Sequence, residues 1–177
     1  ARALARANAA AFSSLSIGAI IGTLSGSTGQ LTEAPELQQL AAPVVDICDF
    51  LANIEWPEGI SIKPLPERVA IHEPCSVTNV LKRPGIIRSM LQAVPQIELV
   101  ELPDKLCCGA AGSYMITQKE NARALRDQKL ESLRQTGASL LVSNNVGCAR
   151  HLEGGLKEAG LTVEIIHPVE LLARQVE

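Results

Sequence analysis

Cysteine is the residue whose placement in this sequence points most directly to chemistry. Four of the five cysteines fall in three short stretches: His72-Glu73-Pro74-Cys75, Cys107-Cys108-Gly109-Ala110-Ala111-Gly112 and Asn144-Asn145-Val146-Gly147-Cys148. Each stretch follows a run expected to be a β-strand. In an open α/β sheet the loops at the carboxyl ends of parallel strands converge on one crevice, so Cys75, Cys107, Cys108 and Cys148 are expected to meet. Four thiolates at one point repel each other unless a cation or cluster neutralises them. Soft sulfur donors suit zinc and iron–sulfur clusters. The neighbouring glycines Gly109, Gly112 and Gly147 let backbone approach a bulky inorganic group, and N–H groups there can hydrogen-bond the sulfurs. These four cysteines are therefore the expected cofactor- and metal-binding residues, and no side-chain acid–base pair is expected to be catalytic.

Each residue also has a plainer explanation. Cys48, in Val44-Val45-Asp46-Ile47-Cys48, is expected to be a small buried hydrophobe. Cys148, at a helix start, can be a reactive thiol with a depressed pKa. Cys107 and Cys108 can form a vicinal disulfide or the redox pair of a metal-free thiol enzyme. None of these explains why three separate strand ends carry cysteine. His72 and His167 are expected to hydrogen-bond locally, with contact to the metal site as the lesser alternative for each; His151 is expected to lie on a helix surface, and Tyr114 to sit in a core or over the site. Zinc and iron accept the same thiolates, so a structural zinc module that docks a partner is the alternative to an iron–sulfur cluster.

The elements that must position these residues follow from pattern. Residues 1–12 are Ala- and Arg-rich and favour helix. Residues 17–24 read as a strand, 35–53 as a helical region broken near Pro43, and 57–67 as a Pro-rich linker. Then come a strand over 68–72, a helix over 85–93 and a strand over 97–102. A long helix over 119–135 comes next, then a strand over 138–143, a helix over 148–159 closed by Gly160, a strand over 162–166 and a helix over 169–176. This alternation predicts an α/β fold with a mostly parallel sheet flanked by helices.

The chain also matches itself when shifted by 121 positions without a gap. Ala1-Arg2-Ala3-Leu4 falls on Ala122-Arg123-Ala124-Leu125, Gly26 on Gly147, Leu31 on Leu152, and Leu51-Ala52 on Leu172-Ala173. An internal duplication is expected. Residues 1–56 would be a partial first unit and 68–177 a complete one. Ser27 falls opposite Cys148, and serine is a poor ligand for soft metals, so no first metal site is expected. The sequence does not begin with Met, which suggests a fragment.

Bulk composition narrows the classes further. The 177 residues are 46% hydrophobic and 20% charged, with a net charge of −3 and only 2% aromatic residues. No basic stripe is present, so nucleic acid is not an expected partner. No apolar run approaches the roughly 20 residues of a membrane span. Clustered cysteines argue for a cytoplasmic setting. No Gly-rich phosphate loop comes after the first strand, so no nicotinamide or flavin site is expected.

The cysteine pattern resembles the cysteine-rich CCG domain found in heterodisulfide reductase and in anaerobic glycerol-3-phosphate dehydrogenase. That domain also occurs in lactate-utilisation proteins and in the iron–sulfur subunit of glycolate oxidase. Val100-Glu101-Leu102-Pro103, Cys107 to Tyr114, Thr136-Gly137-Ala138 and His167 to Leu172 are most similar to the glycolate oxidase group. The resemblance covers residues 68–177 well and 1–56 more weakly, giving two CCG-type units with the first truncated. It implies an electron-transfer subunit of a glycolate- or lactate-type 2-hydroxy-acid oxidoreductase, a component of a complex rather than a complete enzyme. Its implied cofactor is a 4Fe–4S cluster on Cys75, Cys107, Cys108 and Cys148. Its implied partners are a flavin-containing dehydrogenase subunit and an upstream ferredoxin-type domain, with peripheral membrane association through them. One departure is Asn145, which stands where the fullest family motif has a fifth cysteine and so favours a four-thiolate site.

Overall fold

The computed structural model describes residues 2–177. Ala1, the first residue of the self-match, lies outside the described residues. The elements run α1 (Arg2–Ser13), β1 (Ile20–Gly22), α2 (Ser25–Thr32), α3 (Pro35–Gln38), β2 (Val44–Asp46) and α4 (Ile47–Ala52). After a stretch with little regular structure come β3 (Arg68–Ile71), a π-helix (Ser76–Leu81), α5 (Ile86–Leu91), β4 (Glu98–Glu101), α6 (Tyr114–Thr117) and α7 (Lys119–Thr136). The chain ends with β5 (Leu140–Val142), α8 (Val146–Ala159), β6 (Glu164–Ile166) and α9 (Pro168–Ala173).

The fold is α/β, with two all-parallel sheets. One pairs β1 with β2; the other has the order β4-β3-β5-β6. Alternation along β3 explains how the larger sheet is covered. Val69 and Ile71 join Leu140, Val142 and Ile166 beneath α5 and α9, where Ile87, Leu91, Leu171 and Leu172 are buried. Ala70 and Leu141 point the other way, onto Leu130 and Leu133 of α7 and Leu152 and Leu156 of α8. A sheet covered on both faces needs strands that are apolar almost throughout, and all three residues of β5 are buried. The smaller sheet has its own cluster of Ile20, Leu37 and Ala42 against Ala9, Phe12 and Leu31.

Departures from the sequence expectation are local, and Ser25-Gly26-Ser27-Thr28-Gly29, whose composition reads as a turn, lies in helix α2. Residues 44–46 form a strand within the region expected to be helical. Val44 and Val45 are β-branched, come directly after Pro43, and pair in parallel with β1, which outweighs the helical period of residues 47–53. Residues 76–81 form a π-helix, ended by Lys82 at φ 56°, which no residue pattern announces. The Pro-rich stretch is tied down rather than free. Lys63 N donates to Gln175 O at 2.8 Å, and Ile62 bridges Val176 in antiparallel fashion.

Positions 121 residues apart occupy matching places. β1 pairs with β2 in the register Ile20–Val44 and Ile21–Val45, and β5 pairs with β6 as Leu141–Ile165 and Val142–Ile166. Asp46 caps α4 by accepting from Cys48 N, and His167 caps α9 by accepting from Val169 N. Helices α2 and α8 begin at the matching residues Ser25 and Val146. No described helix is long and apolar enough to cross a membrane.

Candidate metal centre

Strand order positions the site. From β3 the chain moves to one side to form β4, then crosses back to the other side for β5 and β6. Where connections diverge in this way, the loops after the two flanking strands leave a crevice at their carboxyl ends. His72 and Cys75 come after β3, Cys107 and Cys108 after the adjacent β4, and Cys148 after β5 on the other side. Neighbouring strands lie only about 4.8 Å apart, and across them the ligand atoms of His72, Cys108 and Cys148 come within 4.8 Å of one another.

The loops are held by polar links that local sequence supplies. Glu73 accepts from Thr78 Oγ1 at 2.9 Å and from Gly85 N at 2.6 Å, bracketing the π-helix that Cys75 precedes. Asp104 accepts from Leu106 N at 3.0 Å and pairs with the buried Lys129 of α7, fixing the approach to Cys107. Gly109 lies at φ 89°, and a Cβ there would stand 2.5 Å from the backbone oxygen of Ala122. Both the conformation and the close approach to α7 therefore require glycine. Asn145 caps α8, accepting from Gly147 N at 3.1 Å and Cys148 N at 3.3 Å, and its Nδ2 donates to Ser76 Oγ at 3.4 Å.

Cys108 and Cys148 form the inner pair, with ligand atoms within 4.8 Å of each other and of His72, while Cys75 and Cys107 lie outside that group on the open side. Cys75 is exposed, whereas Cys108 and Cys148 are buried. Burial, and then the neighbouring Cys107 sulfur, raise the pKa of Cys75. In the inner pair, a hydrogen bond from Cys148 draws Cys108 down against the opposing effect of burial, aided by a hydrogen bond from His72. The bond to Cys108, together with burial, pushes Cys148 up. The inner pair thus gives up one proton readily and holds the second, as two close acids must. A bound cation or cluster would remove that conflict. Four soft sulfur donors, with Gly109 N donating to Cys107 Sγ at 3.4 Å, fit a thiolate-held metal or cluster.

His72 is the residue that sequence spacing underrates. It does bond locally, with Nδ1 at 2.9 Å from Ser143 Oγ. It is also 2% exposed, and its ligand atom lies within 4.8 Å of those of Cys108 and Cys148. Its position just past β3 and three residues before Cys75 is the signal that could have found it.

The remaining candidates lie elsewhere. Cys48 is fully buried in the cluster under α5 and α9, with its pKa raised first by burial and then by Asp46. His167 donates from Nε2 to Thr23 O at 2.8 Å while its Nδ1 caps α9. His151 is not simply a surface residue. It is half-buried and bonded to Ala122 O at 3.1 Å, because α8 packs on α7 there. Tyr114 opens α6 and is not in a core.

Residues 69–153 match the family model of the cysteine-rich domain designated CCG. Among curated proteins, the chain is 28% identical over 141 residues to lactate utilization protein A of Macrococcus caseolyticus, covering 79% of this chain and 57% of that protein. It is 29% identical over 183 residues to the probable glycolate oxidase iron–sulfur subunit of Bacillus subtilis, covering 96% and 41%. It is 31% identical over 145 residues to the glycolate oxidase iron–sulfur subunit of Escherichia coli, covering 81% and 34%. The chain thus spans between about a third and three fifths of the length of these relatives.

Proposed function

We propose, from the match of residues 69–153 to the cysteine-rich CCG domain, that the chain is the cluster-holding part of an electron-transfer subunit in a 2-hydroxy-acid oxidoreductase. The observation that carries this reading is that Cys108 and Cys148, from loops after strands on either side of β3, lie with His72 within 4.8 Å of one another, with Cys75 and Cys107 in the loops of the same strand ends. The relatives named as iron–sulfur subunits of glycolate oxidase support the cofactor class. A 4Fe–4S cluster on Cys75, Cys107, Cys108 and Cys148 matches the donor count.

Such a cluster supplies one-electron transfer. The protein's own residues fix where and how. Asn145, Asp104 and Glu73 hold the three loops, and burial of Cys108 and Cys148 shields the inner side from water. Exposure of Cys75 makes the opposite side the face at which electrons enter or leave. The electron source would be a flavin-containing subunit that oxidises glycolate or lactate, and a ferredoxin-type domain would share the relay. The setting would be cytoplasmic, at the membrane only through partners.

The chain divides, on this reading, into a partial first unit over 1–56, a linker over 57–67 and a complete unit over 68–177. Matching strand registers and helix caps support the duplication. So do reciprocal contacts: Asn144 donates to Asp46, and His167 donates to Thr23. Residues 23 and 144 are equivalent under the 121-residue shift, as are 46 and 167, so the contact repeats with the roles exchanged, as in a two-fold interface. Ser27 takes the place of Cys148, so the partial unit serves as scaffold.

Iron, acid-labile sulfide and zinc per chain, measured after purification without oxygen, test the cofactor. A brown protein with iron and sulfide in equal amounts is expected. A colourless protein with one zinc would replace this reading with the structural zinc module.

A further inference from the structure

The four thiols leave one convergent side chain unused. His72 is buried against the inner thiol pair, with its ligand atom within 4.8 Å of those of Cys108 and Cys148. Two ligands of a tetrahedral ion with bonds of about 2.0–2.3 Å stand roughly 3.5 Å apart, so closing this group around one metal atom needs a movement of only about 1 Å.

Ring orientation gives a second, independent argument. Ser143 Oγ holds His72 Nδ1 at 2.9 Å and is itself buried, which leaves Nε2 for the thiols. Metal-binding histidines are characteristically held in this way, one ring nitrogen fixed by a polar partner and the other turned to the metal. The backbone adds rigidity, because His72 N donates to Val142 O at 2.9 Å and so continues the β3–β5 ladder to the edge of the crevice. A histidine placed only to fill the core would not need a buried hydroxyl on one nitrogen and two thiols beside the ring.

We propose that His72 is a nitrogen ligand of the metal centre, sharing the innermost metal position with Cys108 and Cys148. For a single bound ion, one of Cys75 and Cys107 then completes the four-coordinate site from the open side. The centre has mixed sulfur and nitrogen donors, and its buried end differs in chemistry from its exposed end. This rests on the proposed reading that the thiols hold metal.

Cobalt(II) tests it without depending on which metal the protein carries in the cell. The whole chain, stripped of metal under reducing conditions, is titrated with Co2+ and its visible spectrum recorded. The wild-type chain is expected to give d–d bands at shorter wavelength than a four-thiolate cobalt site. In His72→Cys these bands should move to longer wavelength, with thiolate-to-cobalt charge transfer growing by about one third as three sulfurs become four. The wild-type spectrum alone is decisive if the variant does not fold. A four-sulfur spectrum in wild type, unchanged in His72→Ala, overturns the assignment of His72 and leaves the thiolate site standing. Absence of any cobalt–thiolate absorption overturns both.

Discussion

Cys48 and Cys148 occupy nearly the same local position. Each comes after a parallel strand and lies in the first turn of a helix behind an Asx cap, Asp46 in one case and Asn145 in the other. Both are buried. Their surroundings nevertheless differ completely. Cys148 lies after β5, next to the strands that deliver His72, Cys75 and the Cys107–Cys108 pair. Cys48 lies after β2, in a two-stranded sheet with no other cysteine, beside the Asp46 carboxyl and Asn144. Local motif gives a thiol at a strand end. Sheet order decides whether that thiol has companions.

The sharpest way to break this comparison is to remove each sulfur in turn. Cys148→Ser or Cys108→Ser should lose the metal and destabilise the chain, because metal binding is coupled to folding. Cys48→Ser should keep full metal content. Metal per chain in protein purified without oxygen measures both; equal loss in the two classes would mean that Cys48 belongs to the site.

A smaller effect is expected on stability alone. Cys48→Ser puts a hydroxyl where a buried sulfur packs against apolar side chains, at a cost of about 1–3 kcal/mol if it finds no partner. The Asp46 carboxyl is near enough to accept from it, so the loss should fall toward the low end. A denaturant titration gives the number, and a loss above that range would indicate a further role for the thiol.

Legibility in the sequence divides along the same line. The strand ends carrying Cys75, Cys107 and Cys148 can be read because apolar runs broken by Pro or Gly are local signals. The β4-β3-β5-β6 order cannot, since it depends on which helices cover which face. Val44–Asp46 is hidden within a helical stretch because its pairing partner, β1, lies more than twenty residues away. His72 is underrated for a related reason. Ligand spacing rules describe residues on one loop or helix, whereas His72 meets Cys108 and Cys148 across strands. The π-helix after Cys75 has no compositional mark.

The caps offer a finer probe of the two halves. Asn145→Ala removes the side-chain acceptor for Gly147 N and Cys148 N and should cost about 1 kcal/mol; it should also loosen the Cys148 turn and slow metal uptake. Asp46→Ala removes the equivalent cap at Cys48 and should cost a similar amount with no change in uptake. Thermal unfolding paired with stopped-flow metal loading separates the two. Equal uptake in both variants would show that the cap does not position Cys148.

The smallest expected effect concerns the loop that leads into Cys107. Burial alone would raise the pKa of Asp104, but the hydrogen bond and charge of Lys129, with hydrogen bonds from Ser132 and Leu106 N, outweigh it and the net shift is downward. A carboxyl whose pKa is lower in the folded state binds fewer protons there than in the unfolded chain. Its stabilisation is fully present above the unfolded value of about 3.9 and is lost as pH falls through the lower folded value. Urea midpoints measured from pH 6 down to pH 3 should therefore fall more steeply in the wild-type chain than in Asp104→Asn, whose side chain does not titrate. If wild type and Asp104→Asn ran parallel instead, the Lys129 pair would not be what holds the cysteine loop against α7.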